Sequence, residues 1–534
     1  MTAGLTAVVA ACSDDGGSGS TSSTDRGATG NPPTIPTTSP ATTTTSPVAL
    51  PSDPFTLGVA SGDPDATGVV LWTRLAPDPL RGDGTGGMPA DLLASDIPVT
   101  WEASREASFA TVEHSGTASA IAEYAHSVHA TVELPQGTWF YRFRVGDHTS
   151  PVGTTRPAPP PGTPTAQVRI ATASCQHYET GFYAAYADVA AAQPDAVVFL
   201  GDYIYEGAGA EVGGDRVRSH VTPEPTTLAG YRDRYALYKS DPHLQAAHAA
   251  CPWFVVWDDH EVENNYAGLT PQDPADAEGF GQRRLEAYQA WWEHMPVRLG
   301  PPLPTDLSYP IYRAARWGDL VGLTLLDTRQ YRTDQACGDV ALSLEPACPE
   351  INSEARTLTG DNQEAFLERT MGNLGTVWNV IGQQVVMTDL TLDGAVLNYD
   401  QWDGYPANRE RIFAQLEAAA VPNVVVLTGD IHLAGVGLLR STPDVAPLGV
   451  EFVTTSISSG GLVDADLTEL LAGFPNVVDA ELAHRGYTLH TVTPDRWVAD
   501  YRIVADVTAP DSPVSTWRTF TVRAGSPDVE EAGG

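Results

Sequence analysis

Apolar and polar positions follow two different rhythms along this chain. From Phe55 to about Arg156 the apolar runs are short: FTLGVASGD, GVVLWTRL, IPVTWEAS, AHSVHATVEL and TWFYRFRVG, each bounded by Gly, Pro or Asp. Trp139, Tyr141, Phe143 and Val145 recur at every second position and put one apolar face inward, so this part predicts a small antiparallel β-sandwich. Further on the rhythm shifts. QVRIATASC, DAVVFLGD, WFVVWDDHE, LVGLTLLDTR, WNVIGQQVV, NVVVLTGDIH and VEFVTTSISS read as strands. Between them, helical spacing runs over Tyr183 to Ala192 and through TLAGYRDRYALYK, GQRRLEAYQAWWEHM, DNQEAFLERTM and ANRERIFAQLEAAA. Strands alternating with helices predict an α/β domain whose strands are covered on both faces.

TTRPAPPPGTPTA, from Thr154 to Ala166, has little to pack and marks a boundary between the two rhythms. Residues from about Ser13 to Ser46 are Ser, Thr, Gly and Pro with almost no large apolar side chains, and are expected to form a flexible linker. The expected organisation is a signal-like segment at 1–12, a linker at 13–50, the β-sandwich at 51–157, the α/β domain at 165–505 and a C-terminal strand and tail at 506–534. A length of 534 residues accommodates this, at roughly 150 residues per domain.

The 67 Asp and Glu against 30 Lys and Arg give a formal charge of −37, which argues against a nucleic-acid or anionic-membrane surface. An anionic substrate stays open, because a bound metal can dominate a pocket inside an acidic exterior. MTAGLTAVVAAC resembles the end of a bacterial lipoprotein signal, with Val9-Ala10-Ala11-Cys12 as its lipobox and no basic segment before it. An acylated Cys12 would anchor the chain without spanning the membrane, and no later run approaches the roughly 18 apolar residues of a spanning helix. Cys337 and Cys348 flank the irregular GDVALSLEPA and are expected to close a local disulfide in an oxidising compartment. Cys251, before PWFVVW, reads as a small buried hydrophobe.

In α/β sheets ligands bind beyond the carboxyl ends of the strands, and there this sequence concentrates its unusual side chains. Four apolar strands end in SCQH (Ser174 to His177), GDYIYE (Gly201 to Glu206), WDDHEVENN (Trp257 to Asn265) and GDIH (Gly429 to His432), and a fifth ends in LDTRQYR (Leu326 to Arg332). Any one Asp after a strand is most simply a turn or cap residue, and any one His a satisfied surface or core group. Their coincidence in one domain matches metal ligation. Two cations roughly 3.5 to 4 Å apart need a shared carboxylate, for which Asp202 is the natural bridge. Tyr205 and Cys175 supply the phenolate and thiolate that favour a ferric centre, and His432, two residues past Asp430, can reach back to it. Asp258 or Asp259, with Asn265 and Asp430, offer oxygen ligands to a hard divalent ion.

At these motifs the chain resembles the PhoD-like alkaline phosphatases and phosphodiesterases, a branch of the metallophosphoesterases related to purple acid phosphatases. The resemblance runs from about Pro54 to near Tyr501 and includes LGVASGDP and VLWTRL in the N-terminal part, then SCQ, GDYIYE, WDDHE with NN, LDTRQYR and GDIH in the family's order. It implies a metallophosphoesterase α/β sandwich of mixed sheets flanked by helices. It also implies ferric iron held by Cys175, Asp202, Tyr205 and His432, and calcium held by Asp202, one of Asp258 and Asp259, Asn265 and Asp430. His260 would sit over the substrate as electrostatic stabiliser or leaving-group acid. Arg329 would either clamp a phosphate oxygen or pair with Asp327 or a neighbouring carboxylate. Tyr203 and Glu206 are read as packing and support. The implied reaction is direct hydrolysis with no protein nucleophile, since no GxSxG elbow surrounds Ser174.

The leading expectation is an exported monomeric phosphatase or phosphodiesterase that scavenges phosphate from phosphate esters, extracellular or held at the cell surface by Cys12. A phospholipase D acting on phospholipid head groups is the related alternative. The alternative of another class is a non-catalytic surface binding protein, which predicts decayed strand ends; Asp202 and His432 are intact.

Overall fold

A computed structural model describes residues 50–207, 216–339, 345–392, 394–461 and 465–532. The signal-like segment, Cys12 and all but the last residue of the expected linker lie outside the described residues.

Two large mixed sheets form the body. The seven-stranded sheet runs in the order Arg313–Trp317, Val321–Leu325, Trp378–Gly382, Val424–Thr428, Gly449–Val453, Ala434–Leu439 and Val477–Glu481. The ten-stranded sheet has at its centre the parallel strands Val168–Ala173, Ala196–Phe199 and Trp253–Val255. Ala196–Phe199 and Val424–Thr428 are buried at every position, as both faces of each sheet are covered. Val197, Phe199 and Val255 of one sheet share a core with Val380, Val425 and Leu427 of the other. On the outer face of the seven-stranded sheet, Leu367 and Met371 of helix Gly360–Met371 and Ile412, Phe413 and Leu416 of helix Pro406–Ala418 pack on Ile381, Val424 and Val426.

All five predicted helices sit within a residue or two of their sequence bounds, at Ala184–Ala192, Leu228–Lys239, Phe280–His294, Gly360–Met371 and Pro406–Ala418. Two further helices appear, Pro242–Ala250 and Ala465–Ala472. The first of these has a local cause: the Asp241 carboxylate accepts from the His243 and Leu244 amides at 2.9 and 3.2 Å, and Pro242 opens the first turn.

The N-terminal part is less separate than its sequence suggests. Its strands do pack as two layers, with Val69, Leu71, Val128 and Val132 against Ile97, Val99, Tyr141 and Phe143. One layer, however, is the far edge of the ten-stranded sheet: Val59–Gly62 runs parallel to Trp253–Val255 through Gly62 and Trp253, then Gly68–Arg74 and Ser127–Glu133 follow. Trp72 adds a hydrogen bond of 3.0 Å from its indole N–H to the Glu293 carbonyl. At the other edge, Val514–Arg523 pairs onto Arg496–Val504 and Val529–Glu531 pairs onto Val514–Arg523, so the C-terminal segment completes the same sheet.

Candidate metal centre

The polar strand ends converge. From the ten-stranded sheet, Cys175 follows Val168–Ala173, Asp202 and Tyr205 follow Ala196–Phe199, and Asp258, Asp259, His260 and Asn265 follow Trp253–Val255. From the seven-stranded sheet, Arg329 follows Val321–Leu325 and Asp430 and His432 follow Val424–Thr428. The chain must turn sharply to aim these groups inward: Cys175, Asp202, Asn265, Asp430 and His432 all have left-handed φ, between 52° and 64°. Each such residue costs on the order of 1–3 kcal/mol, a strain that persists where surrounding structure enforces it. The glycines of the two Gly-Asp pairs permit close approach of neighbouring loops. A Cβ on Gly201 would stand 2.5 Å from the Asp258 amide nitrogen, and one on Gly429 would stand 2.5 Å from the Ser174 hydroxyl.

Buried side chains staple the loops. The Glu261 carboxylate accepts from the amides of Asp202, Tyr203 and Asp258 at 3.0, 2.7 and 2.9 Å, tying two strand ends together. The Gln176 amide donates to the Tyr203 carbonyl at 2.7 Å and ties the first strand end to the second.

Three overlapping triads of donors result. One ligand atom from each of Cys175, Asp202 and His432 lies within 4.8 Å of the others; Asp202, Asp259 and His260 meet the same limit, as do Asp258, Asp259 and Asp430. Asp202 and Asp259 therefore link the set. The Tyr205 hydroxyl is 2.8 Å from Asp202 Oδ2 and 3.0 Å from His432 Nε2, and receives a hydrogen bond of 2.8 Å from Ser459. His432 Nδ1 is 2.5 Å from the Gly460 carbonyl, which leaves Nε2 with its lone pair free to ligate. The Asn265 amide N–H donates to Asp259 Oδ2 at 2.7 Å, and its side chain donates to Asp339 at 3.1 Å. Asp339 stands beside the disulfide that joins Cys337 and Cys348.

Arg329 is fully buried and gives its guanidinium to carboxylates: Asp258, Asp400 at 2.8 Å, Asp430 at 3.3 Å and Asp259 at 3.5 Å. Its geometry is that of a neutralising pair, in place of the phosphate clamp weighed from sequence, because a guanidinium committed on these sides is withdrawn from a substrate.

The electrostatics call for more positive charge than the side chains supply. Burial, with Asp259, Glu261 and Asp430 nearby, pushes Asp202 well above the usual carboxylate range despite the opposing pull of His260. Burial pushes Asp258 up likewise, and Asp430 to about 6, although Arg329 opposes both. Burial and the Asp202 charge raise Cys175 and Tyr205. Burial followed by Arg485 lowers His432 to about 3, so its imidazole is neutral. Asp202 Oδ1 and Asp258 Oδ2 are buried oxygens without a hydrogen-bond partner among the described residues. A thiol, a phenol and several carboxylates whose deprotonation is disfavoured, together with orphaned oxygens, fit bound cations.

Sequence reading missed Glu261, Asp400, Gln401 and Ser459. Asp400 holds Arg329, Arg332 and Gln335 together, and Gln401 donates to Asp430 Oδ2 at 2.6 Å. Neither follows a long apolar strand, so the rule that finds ligands at strand ends passes over them. His177, named in SCQH without a role, stacks at a tilt on Tyr205, ring centroids 4.5 Å apart.

A family model described as PhoD-like phosphatase matches residues 170–501, and one described as PhoD-like phosphatase, N-terminal domain, matches residues 41–159. Alkaline phosphatase D of Bacillus subtilis (strain 168) is 44% identical over 482 residues, covering 88% of this chain and 81% of that protein. A solved structure titled "Structure of PhoD" superposes with a TM-score of 0.85 at 42% identity, covering 91% of this chain and 94% of the other.

Proposed function

The chain belongs to the PhoD-like phosphatase family and is a phosphoric ester hydrolase with a metal cofactor, and from that premise we propose which metals it uses and where it works. Ferric iron is held by Cys175, Asp202, Tyr205 and His432, and calcium by Asp202, Asp259, Asn265 and Asp430. The observation that carries this reading is the set of three overlapping triads, in which sulphur, imidazole and phenol donors gather on one side of Asp202 and carboxylates on the other. Asp259 is preferred to Asp258 because it belongs to two of the triads and Asp258 to one.

Metal ions bound there supply Lewis acidity, acidifying water and offsetting charge at phosphorus. The protein's own contribution is positional. Glu261 and Gln176 hold the strand ends in register, and Arg329 offsets carboxylate charge that would otherwise repel an anionic ester. Burial lowers the His260 imidazole, but Glu206, Asp259 and Asp202 outweigh it and push it above the usual histidine range. That gives it a proton for the leaving oxygen.

The disulfide between Cys337 and Cys348 supports an exported protein, since such bonds persist in oxidising compartments. Lipid attachment at Cys12 and phosphate scavenging complete the reading. Assay of the purified protein with iron and calcium on p-nitrophenyl phosphate, bis-p-nitrophenyl phosphate and phosphatidylcholine tests it. Turnover of the mono- or diester is expected; turnover of phosphatidylcholine alone would shift the substrate to lipid head groups, and none of the three would overturn the reading.

A further inference from the structure

Tyr205 lies on a segment, 200–207, that forms neither helix nor strand, so neither a strand ladder nor a helical turn fixes its backbone. Two buried side chains of helix Leu228–Lys239 fix it instead: Arg234 and Tyr238, which at i and i+4 share one face. The Tyr238 hydroxyl accepts the Tyr205 amide N–H at 3.1 Å, and the Arg234 guanidinium donates to the Tyr205 carbonyl. Both backbone polar groups of one residue are thus held by one helix. Arg234 also donates to the carbonyls of Glu206 at 3.0 Å, Gly207 at 3.2 Å, Thr222 at 3.4 Å and Pro223 at 3.0 Å. It makes no ion pair of its own among the described residues, although Glu206, Glu179 and Glu224 act on it from longer range. A cation buried in this way is costly, but no other side chain has the donors to gather so many carbonyls at once.

The Tyr238 hydroxyl is fully used. It accepts a second amide N–H, from Tyr178 at 3.1 Å, and lies 3.0 Å from His220 Nε2. With both lone pairs taken, its own proton goes to Nε2, which places the His220 proton on Nδ1, 3.0 Å from the Gly207 carbonyl. Tyr178 follows Cys175 in the same strand-end loop, so one hydroxyl joins the loop that carries the thiol to the loop that carries the phenol. From a fixed backbone the direction of the Tyr205 ring follows from its neighbours: the His177 and His260 ring centroids stand at 4.5 and 4.0 Å, and Ser459 donates to its hydroxyl at 2.8 Å. We propose that Arg234 and Tyr238 are positioning residues for the metal centre, fixing the Tyr205 backbone so that its phenol meets Asp202 and His432. This rests on the reading that Tyr205 ligates ferric iron.

Tyr238→Phe keeps the ring and leaves two buried amides without their acceptor; Arg234→Lys keeps the charge on fewer donors. Each is made in the wild type and in Tyr205→Phe. The readouts are iron affinity in competition with a chelator, the phenolate-to-iron absorption band, and the melting temperature of the metal-free protein. In the wild-type background Tyr238→Phe is expected to weaken iron binding about 10- to 100-fold and to shift the band, with a smaller loss of the same kind in Arg234→Lys. In the Tyr205→Phe background Arg234→Lys is expected to change iron affinity by less than about 2-fold, because the group it positions is gone. Tyr238→Phe is expected to keep there only the smaller loss that passes through Tyr178 to Cys175. The melting temperature is expected to fall equally in both backgrounds, which separates positioning from stability. If Tyr238→Phe does not fold, Arg234→Lys carries the same comparison. A band and an iron affinity untouched by either substitution, or equal losses of iron affinity in the two backgrounds, would overturn the positioning role while leaving the iron site intact. Wild-type protein without iron or without the band would remove the iron reading and this proposal together.

Discussion

On one side of Asp202 the donors are a thiol, a phenol and an imidazole, from Cys175, Tyr205 and His432; on the other they are the carboxylates of Asp258, Asp259 and Asp430, already paired with Arg329. On the first side no guanidinium reaches a donor atom among the described residues, Arg485 meeting His432 only at its carbonyl, and burial holds the thiol and phenol protons on. The second carries a resident guanidinium, itself anchored by Asp400. The difference teaches that the two sides solve the burial of negative charge separately. One keeps its acids neutral until a strongly polarising cation arrives. The other sets an arginine against its carboxylates, which helps hold Asp259 low while burial still raises Asp258 and Asp430.

The comparison breaks most completely at the residue both sides share. Asp202→Ala is expected to cost on the order of 10³-fold or more in kcat and to lower both metals in elemental analysis. Retention of full metal content would show that Asp202 is not shared. The next largest effect separates the sides by stability. Arg329→Met leaves buried carboxylates unpaired, which costs about 3–5 kcal/mol. Because a divalent ion can replace part of the lost charge, the drop in melting temperature is expected to be larger in chelator-treated protein than with calcium added. An equal drop in both would mean that no cation sits on the carboxylate side. The smallest effect falls on the rim of that side, where Asp339 beside the disulfide receives the Asn265 amide. Replacing Cys337 and Cys348 by Ser opens a short loop, worth about 2–3 kcal/mol in the chain-entropy account. Calcium affinity is expected to weaken modestly and the iron side to stay as it was; loss of iron instead would contradict the division.

Much of this was legible in sequence for one physical reason. Buried strands need apolar runs, so the first polar residues after each run mark the sheet's carboxyl edge, and that is how Cys175, Asp202, Asp258, Asp430 and Arg329 stand out. The helices with strong spacing, such as Phe280–His294, were visible for the same kind of reason. Helix Pro242–Ala250 escaped because its residues HLQAAHAA carry little periodicity, and only the Asp-Pro cap announces it. Asp400 and Glu261 escaped because much of their work is done across space, on a guanidinium group and on the Asp202 and Tyr203 amides far along the chain. Pattern also cannot tell a free-standing sandwich from one whose sheet joins a neighbour, since Gly62 meets Trp253 through backbone alone.

The thiol and phenol side is proposed to hold ferric iron and the carboxylate side a different ion. Metal analysis joined to the visible spectrum of the wild type and Tyr205→Phe tests it most directly. Expected are iron and calcium in the wild type, a phenolate-to-iron charge-transfer band, and loss of that band in Tyr205→Phe with calcium retained. Stoichiometric zinc without a visible band, or a band that survives Tyr205→Phe, would contradict it.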